Sequence, residues 1–143
     1  MPTRNVTILL VEDDEVDVMN VQRAFRKLNI TSPLFVAGNG LEALSMLQGK
    51  GSQPPLVSAE RLLILLDINM PKMNGIDFLK ALRADPALKA IPVIVLSTSD
   101  QDRDLTEAYS LNVAGYLLKP VVFPNFVELM KTMNQYWTLC EMI

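Results

Sequence analysis

The sequence contains no histidine. Its absence excludes a phosphohistidine relay carried on this chain, a Ser-His-Asp triad and any histidine-ligated metal site. Cysteine is almost as scarce. The single Cys140 permits no internal disulfide framework and no four-cysteine zinc site. No cluster of Lys or Arg stands out, and the formal net charge is −3. Contacts to a phosphate backbone therefore have little electrostatic footing, and no nucleic-acid partner is expected. No basic segment followed by an apolar one opens the chain, and no apolar run approaches the ~18 residues of a membrane span. The expectation is a soluble, cytoplasmic chain with no membrane partner.

What is present is apolar material in short, regular portions. Half of the 143 residues are hydrophobic, and a chain of this length suits one domain, expected here over residues 1–143. Val6 to Val11 reads V-T-I-L-L-V, too apolar for a strand with one wet face and suited to a strand covered on both sides. Asp14 follows as a helix cap, with Val16, Met19, Ala24, Phe25 and Leu28 as the apolar stripe of the first helix. Leu34 to Ala37 is a second strand, and Leu41, Ala43, Leu44 and Leu47 mark a second helix. Residues 49–58, G-K-G-S-Q-P-P-L-V-S, carry two glycines and two prolines and form a surface excursion. Leu62 to Leu66 is the third strand, ending at Asp67. Pro71 to Gly75 makes a turn, and Phe78, Leu79 and Leu82 lie on a third helix ending near Asp85-Pro86. Val93 to Leu96 is the fourth strand, and a fourth helix runs from about Asp102 to Leu111. Gly115 to Leu118 is the fifth strand, and a fifth helix begins near Asn125 with Phe126, Leu129, Met130, Met133, Tyr136, Trp137 and Cys140 on one stripe. Strands alternating with helices predict a doubly wound α/β domain, a five-stranded parallel sheet with five helices.

In such sheets ligands gather beyond the carboxyl ends of the strands, where the strand order reverses. Those ends carry Glu12-Asp13-Asp14, Asp67, Ser97-Thr98 and Lys119-Pro120. Each has an ordinary alternative. The acids can favour a helix amino terminus, Asp67 can be a turn residue, Ser97 can cap the fourth helix, and Lys119 can be a solvated amine. Their conjunction at four strand ends points instead to one site. Crowded carboxylates repel one another, which a hard, oxygen-ligated cation such as Mg²⁺ relieves. Asp67 can then act as a nucleophile toward phosphorus, with Lys119 and the Ser97 hydroxyl meeting the phosphoryl oxygens.

These residues bring a known pattern into view. The chain resembles the response-regulator receiver family along nearly its whole length, through L-L-V-E-D-D at 9–14, L-D-I-N-M-P-K-M-N-G at 66–75, P-V-I-V-L-S-T at 92–98 and G-Y-L-L-K-P at 115–120. The resemblance implies the flavodoxin-like fold with strand order 2-1-3-4-5 and Asp67 as phosphoacceptor. It implies Glu12 and Asp13 as the acidic pair beside Mg²⁺, with Asp67 and the backbone carbonyl of Asn69 completing the metal site. Ser97 and Tyr116 would be the switch residues, Lys119 the amine beside the phosphoryl group, and the bond before Pro120 cis. A sensor histidine kinase is the implied partner. The long 49–61 loop and F-V-E-L-M-K-T-M-N-Q-Y-W at 126–137 look like the small response regulators of cyanobacterial phytochromes.

Two other chemistries fit less well. A phosphatase of the haloacid dehalogenase class needs a second Asp two residues after Asp67, where this chain has Asn69. A flavodoxin-like carrier needs a phosphate-cradling loop where Glu12-Asp13-Asp14 stands. A degenerate receiver, acting only as an interaction module, is opposed by the intact acids and Lys119. The expectation is a phosphoacceptor rather than an enzyme, without an output domain. It signals through a protein surface and forms a homodimer through the fourth helix, fifth strand and fifth helix. One sheet covers only part of the last helix's stripe, so Trp137 and the tail, Leu139, Met142 and Ile143, are expected to be exposed.

Overall fold

The computed structural model describes residues 6–49, 53–68, 70, 73–98 and 102–142. Strands and helices alternate as β1 (Thr7–Val11), α1 (Glu15–Lys27), β2 (Leu34–Ala37), α2 (Gly40–Gln48), β3 (Leu62–Leu66), α3 (Gly75–Ala84), β4 (Val93–Ser97), α4 (Asp102–Ser110), β5 (Gly115–Leu118) and α5 (Phe123–Trp137). All strand pairs are parallel, in the order β2-β1-β3-β4-β5, as the resemblance implied. Asn69 and Ile143 lie outside the described residues, as do Pro71 and Lys72 of the anticipated turn.

The period of two along a strand sorts the apolar runs into two cores. Leu9, Val11, Ile64, Leu66, Val93 and Val95 face α2, α3 and α4, with Phe78, Leu79 and Leu82 beneath them. Ile8, Leu10, Leu63, Leu65, Ile94 and Leu96 face α1 and α5, against Phe25, Phe126 and Met130. Every residue of β3 and β4 is buried, the expected fate of a central strand covered on both faces. Arg83 ties one end of this layer together. Its guanidinium donates to the carbonyls of Lys89, Ile91, Leu111 and Asn112, using the fixed fork of donors that only arginine carries.

Several expectations are corrected. Val16 and Met19 are exposed, because α1 turns Val21, Ala24 and Phe25 inward and three- and four-residue spacings from these miss both. On α2 the buried face is Ala43, Met46 and Leu47, and Leu41 points outward. Trp137 is buried, 8% exposed, rather than presented to solvent. The tail divides: Leu139 is exposed as expected, whereas Cys140 and Met142 pack on the same core as Trp137, whose indole N–H donates to Met142 Sδ at 3.1 Å. The Lys119–Pro120 bond is not cis, since no cis peptide occurs among the described residues. Trans is the favoured isomer by about 0.5–1 kcal/mol, and the exposed residues that follow, Val121 and Val122, supply no packing to reverse that preference. Of the 53–58 segment only Val57 is buried, anchored by its N–H to the Met46 carbonyl.

Candidate functional site

Sheet register assembles the site. Val11 lies opposite Leu66, Leu66 opposite Val95, and Ser97 opposite Leu118. The next residues along β1, β3 and β5 are Glu12, Asp67 and Lys119, so residues over 100 positions apart in sequence meet at one edge. Backbone bonds hold that edge in place. Glu12 N–H donates to Ala37, Asp67 N–H to Val11 and Lys119 N–H to the Ser97 carbonyl, at 2.9, 3.0 and 2.9 Å. The strand order reverses between β1 and β3, so the edge is also the switch point of the sheet.

Three carboxylates converge there. Oxygens of Glu12, Asp13 and Asp67 all lie within 4.8 Å of one another, with Glu12 and Asp67 buried and Asp13 exposed. Asp14, next in sequence, points elsewhere. It caps α1, accepting from the N–H groups of Val16 and Asp17. The donor set of hard oxygens, one of them open to water, suits Mg²⁺ or a similar divalent cation. Asn69, the remaining expected ligand, lies outside the described residues.

Lys119 enters from the side of α1. Its ammonium donates to Glu12 and, at 2.9 Å, to Asp17 Oδ2, while its side chain is only 10% exposed. Burial raises the Glu12 pKa to about 8, the charge of Asp67 adds to the rise, and Lys119 opposes it. For Lys119 burial pulls the pKa down. Its bonds to Glu12 and Asp17 and the charge of Asp67 outweigh this, so the ammonium titrates above its ordinary value. The site thus keeps a cation buried beside acids that compete for it.

Ser97 ends β4 and is fully buried. It belongs to the strand, five residues before α4 begins, so it is not that helix's cap. Tyr116 on β5 is half-buried and packs against the core beneath α4. Gly75 approaches the site from α3: a Cβ there would stand 2.6 Å from the Asp67 carbonyl oxygen and 2.7 Å from Ile68 Cα. Two residues escaped the sequence reading. The sequence marks Gly75 only as the end of a turn, and its one further signal is its place eight residues after Asp67. Nothing in the sequence pairs Asp17 with Lys119.

The family model for the response regulator receiver domain matches residues 8–131. This chain belongs to the receiver domain family. Among curated relatives, the probable methanogenesis regulatory protein FilR2 of Methanothrix harundinacea is 37% identical, covering 91% of this receiver and 82% of its own length. Response regulator Rcp1 of Synechocystis is 35% identical, covering 91% and 87%. The solved structure of the phosphorylated cyanobacterial phytochrome response regulator RcpA matches with a TM-score of 0.83 at 31% identity, over 96% of this chain and 98% of RcpA. The Mn²⁺-bound form of Rcp1 matches with a TM-score of 0.80 at 34% identity, over 93% and 94%. The protein is therefore a response-regulator receiver related to the phytochrome response regulators. No helix among its described residues is long and apolar enough to cross a membrane.

Proposed function

We propose that this receiver works as a phosphoacceptor, loaded on Asp67 by a sensor histidine kinase of the phytochrome type. The observation that carries the reading is the buried Asp67 carboxylate, flanked within 4.8 Å by Glu12 and Asp13, with the Lys119 ammonium beside them. Its relatives supply the partner class, since Rcp1 and RcpA are response regulators and RcpA is a phytochrome response regulator.

An Asp67 oxygen attacks phosphorus, and the bond from phosphorus to the donor histidine nitrogen breaks, its electron pair returning to the imidazole. Water later attacks the acyl phosphate, releases inorganic phosphate and restores the carboxylate, with the surplus proton passing to solvent. Because the same group is consumed and regenerated only on itself, the chain is not an enzyme toward an external substrate. Glu12, Asp13, Asp67 and the Asn69 carbonyl would hold Mg²⁺, which supplies charge neutralisation between the carboxylates and the phosphoryl oxygens. The Lys119 ammonium meets one phosphoryl oxygen, and the Ser97 hydroxyl meets another. Drawing Ser97 inward vacates space into which the Tyr116 ring turns, and the surface of α4, β5 and α5 changes with it.

The test is mass spectrometry after incubation with acetyl phosphate and Mg²⁺. One phosphoryl group is expected on the wild type, mapped to Asp67, and none on Asp67→Asn. Label on Ser97, or equal labelling of Asp67→Asn, overturns the reading.

A further inference from the structure

Lys119 has a partner that the phosphoacceptor chemistry does not require. Asp17 lies in the first turn of α1, five residues from Glu12, and its Oδ2 takes a hydrogen bond from the Lys119 ammonium at 2.9 Å. The pair is asymmetric. The Lys119 side chain is 10% exposed and that of Asp17 36%, so the carboxylate sits at the rim and reaches in. Glu12 holds the ammonium from within, its side chain only 2% exposed. A crevice of about 60 Å³ opens beside the ammonium, lined by Glu12, Asp17, Asn20, Lys119, Val121 and Phe123 among others. The amine therefore has room to change position without displacing the core.

We propose that Asp17 is a positioning residue that holds Lys119 toward α1 in the unphosphorylated chain and releases it when a phosphoryl group arrives on Asp67. The inference rests on Asp67 as phosphoacceptor. An acyl phosphate brings about two negative charges, where Asp17 offers one that is partly screened by water. The phosphoryl oxygens thus win the ammonium, and the Asp17–Lys119 pair breaks as the new pair forms. Until then Asp17 opposes the transfer twice, by withholding the cation and by adding a negative charge at the mouth of the site. Phosphorylation also leaves a freed carboxylate on α1, which packs on the other face of the sheet from Tyr116.

The experiment compares wild type, Asp17→Asn, Asp17→Glu, Lys119→Gln and the double variant Asp17→Asn/Lys119→Gln. Each is incubated with acetyl phosphate and Mg²⁺, which transfers its phosphoryl to Asp67 and releases acetate. Uptake and loss of the phosphoryl group are followed by mass spectrometry, and thermal melts confirm that each variant is folded. Asp17→Asn is expected to load about two- to fivefold faster and to lose phosphate more slowly, the range set by a partly exposed ion pair. Asp17→Glu is expected to restore the slow rate. In the Lys119→Gln background the same Asn substitution is expected to change nothing, because its effect runs through the amine. Equal or slower loading of Asp17→Asn overturns the proposal, as does an effect that persists without Lys119. If wild type and Asp17→Asn both load Asp67 at the same rate, only the role of Asp17 falls. If neither carries label on Asp67, the phosphoacceptor reading falls and takes this one with it.

Discussion

Glu12 shows how one buried residue couples the site to stability. In the metal-free chain it titrates at about 8 against an ordinary 4.5, chiefly because burial penalises its charge. Between those values the folded state keeps a proton that the unfolded state has released. The contribution to stability is therefore complete below 4.5 and is lost as pH rises toward about 8. Thermal melts in EDTA should show wild-type stability falling across this window relative to Glu12→Gln, which has no proton to lose. A wild-type curve parallel to the variant's contradicts the assignment. Ser97 tests the switch at the same scale. Ser97→Ala is expected still to take a phosphoryl group on Asp67. Its hydrogen exchange in α4 and β5 should then be unchanged on phosphorylation, whereas the wild type changes there. Normal exchange differences in the variant reject the Ser97–Tyr116 route.

At the scale of elements, the decisive joint is between β3 and α3. Asp67 ends the strand, and the Gly75 N–H at the start of the helix donates to the Ile68 carbonyl at 2.9 Å. Asn74 caps the helix by accepting from the Asp77 N–H at 3.0 Å. Because the atoms facing Gly75 are backbone, no side chain can swing aside to admit a methyl group. Gly75→Ala should therefore cost about 1–3 kcal/mol, as overpacked sites do, and slow loading of Asp67 by shifting the end of β3. Calorimetry paired with the acetyl phosphate assay checks both. An unchanged melting temperature shows that the joint relaxes.

At the scale of the molecule, the exposed apolar groups are unevenly placed. Tyr109 on α4, Leu118 at the end of β5, Val121 and Val122 after it, and Tyr136 on α5 all remain open, from 50% to 102% exposed. They run along the elements expected to self-associate, while Trp137 has been withdrawn into the core. A two-fold dimer is the commonest assembly for such a surface. Light scattering at tens of micromolar should give about twice the 16.0 kDa chain mass after phosphorylation, and Leu118→Glu should return it to the monomer without loss of melting temperature. A wild-type monomer with and without phosphorylation shows that this surface does not self-associate.

The elements and the strand-end acids were legible in the sequence because they are local. A run such as L-L-I-L-L buries on both faces wherever it lies, and the turn residues after each run mark its end. Even Glu12, Asp13, Asp67 and Lys119 could be gathered in advance, since parallel strands send all their carboxyl ends to one edge. Pairings that depend on where two helices sit could not be read this way. The sequence alone left Trp137 exposed, because a stripe on α5 does not reveal that the tail returns to cover it. It also left Asp17 unnoticed, because only the packing of α1 against the end of β5 brings a carboxylate in the first helix within 2.9 Å of Lys119. Residue types and periods determined which chemistry this receiver domain can carry. The tertiary structure decided which acid holds the lysine, because that choice rests on distances between segments over 100 residues apart and not on the character of either segment.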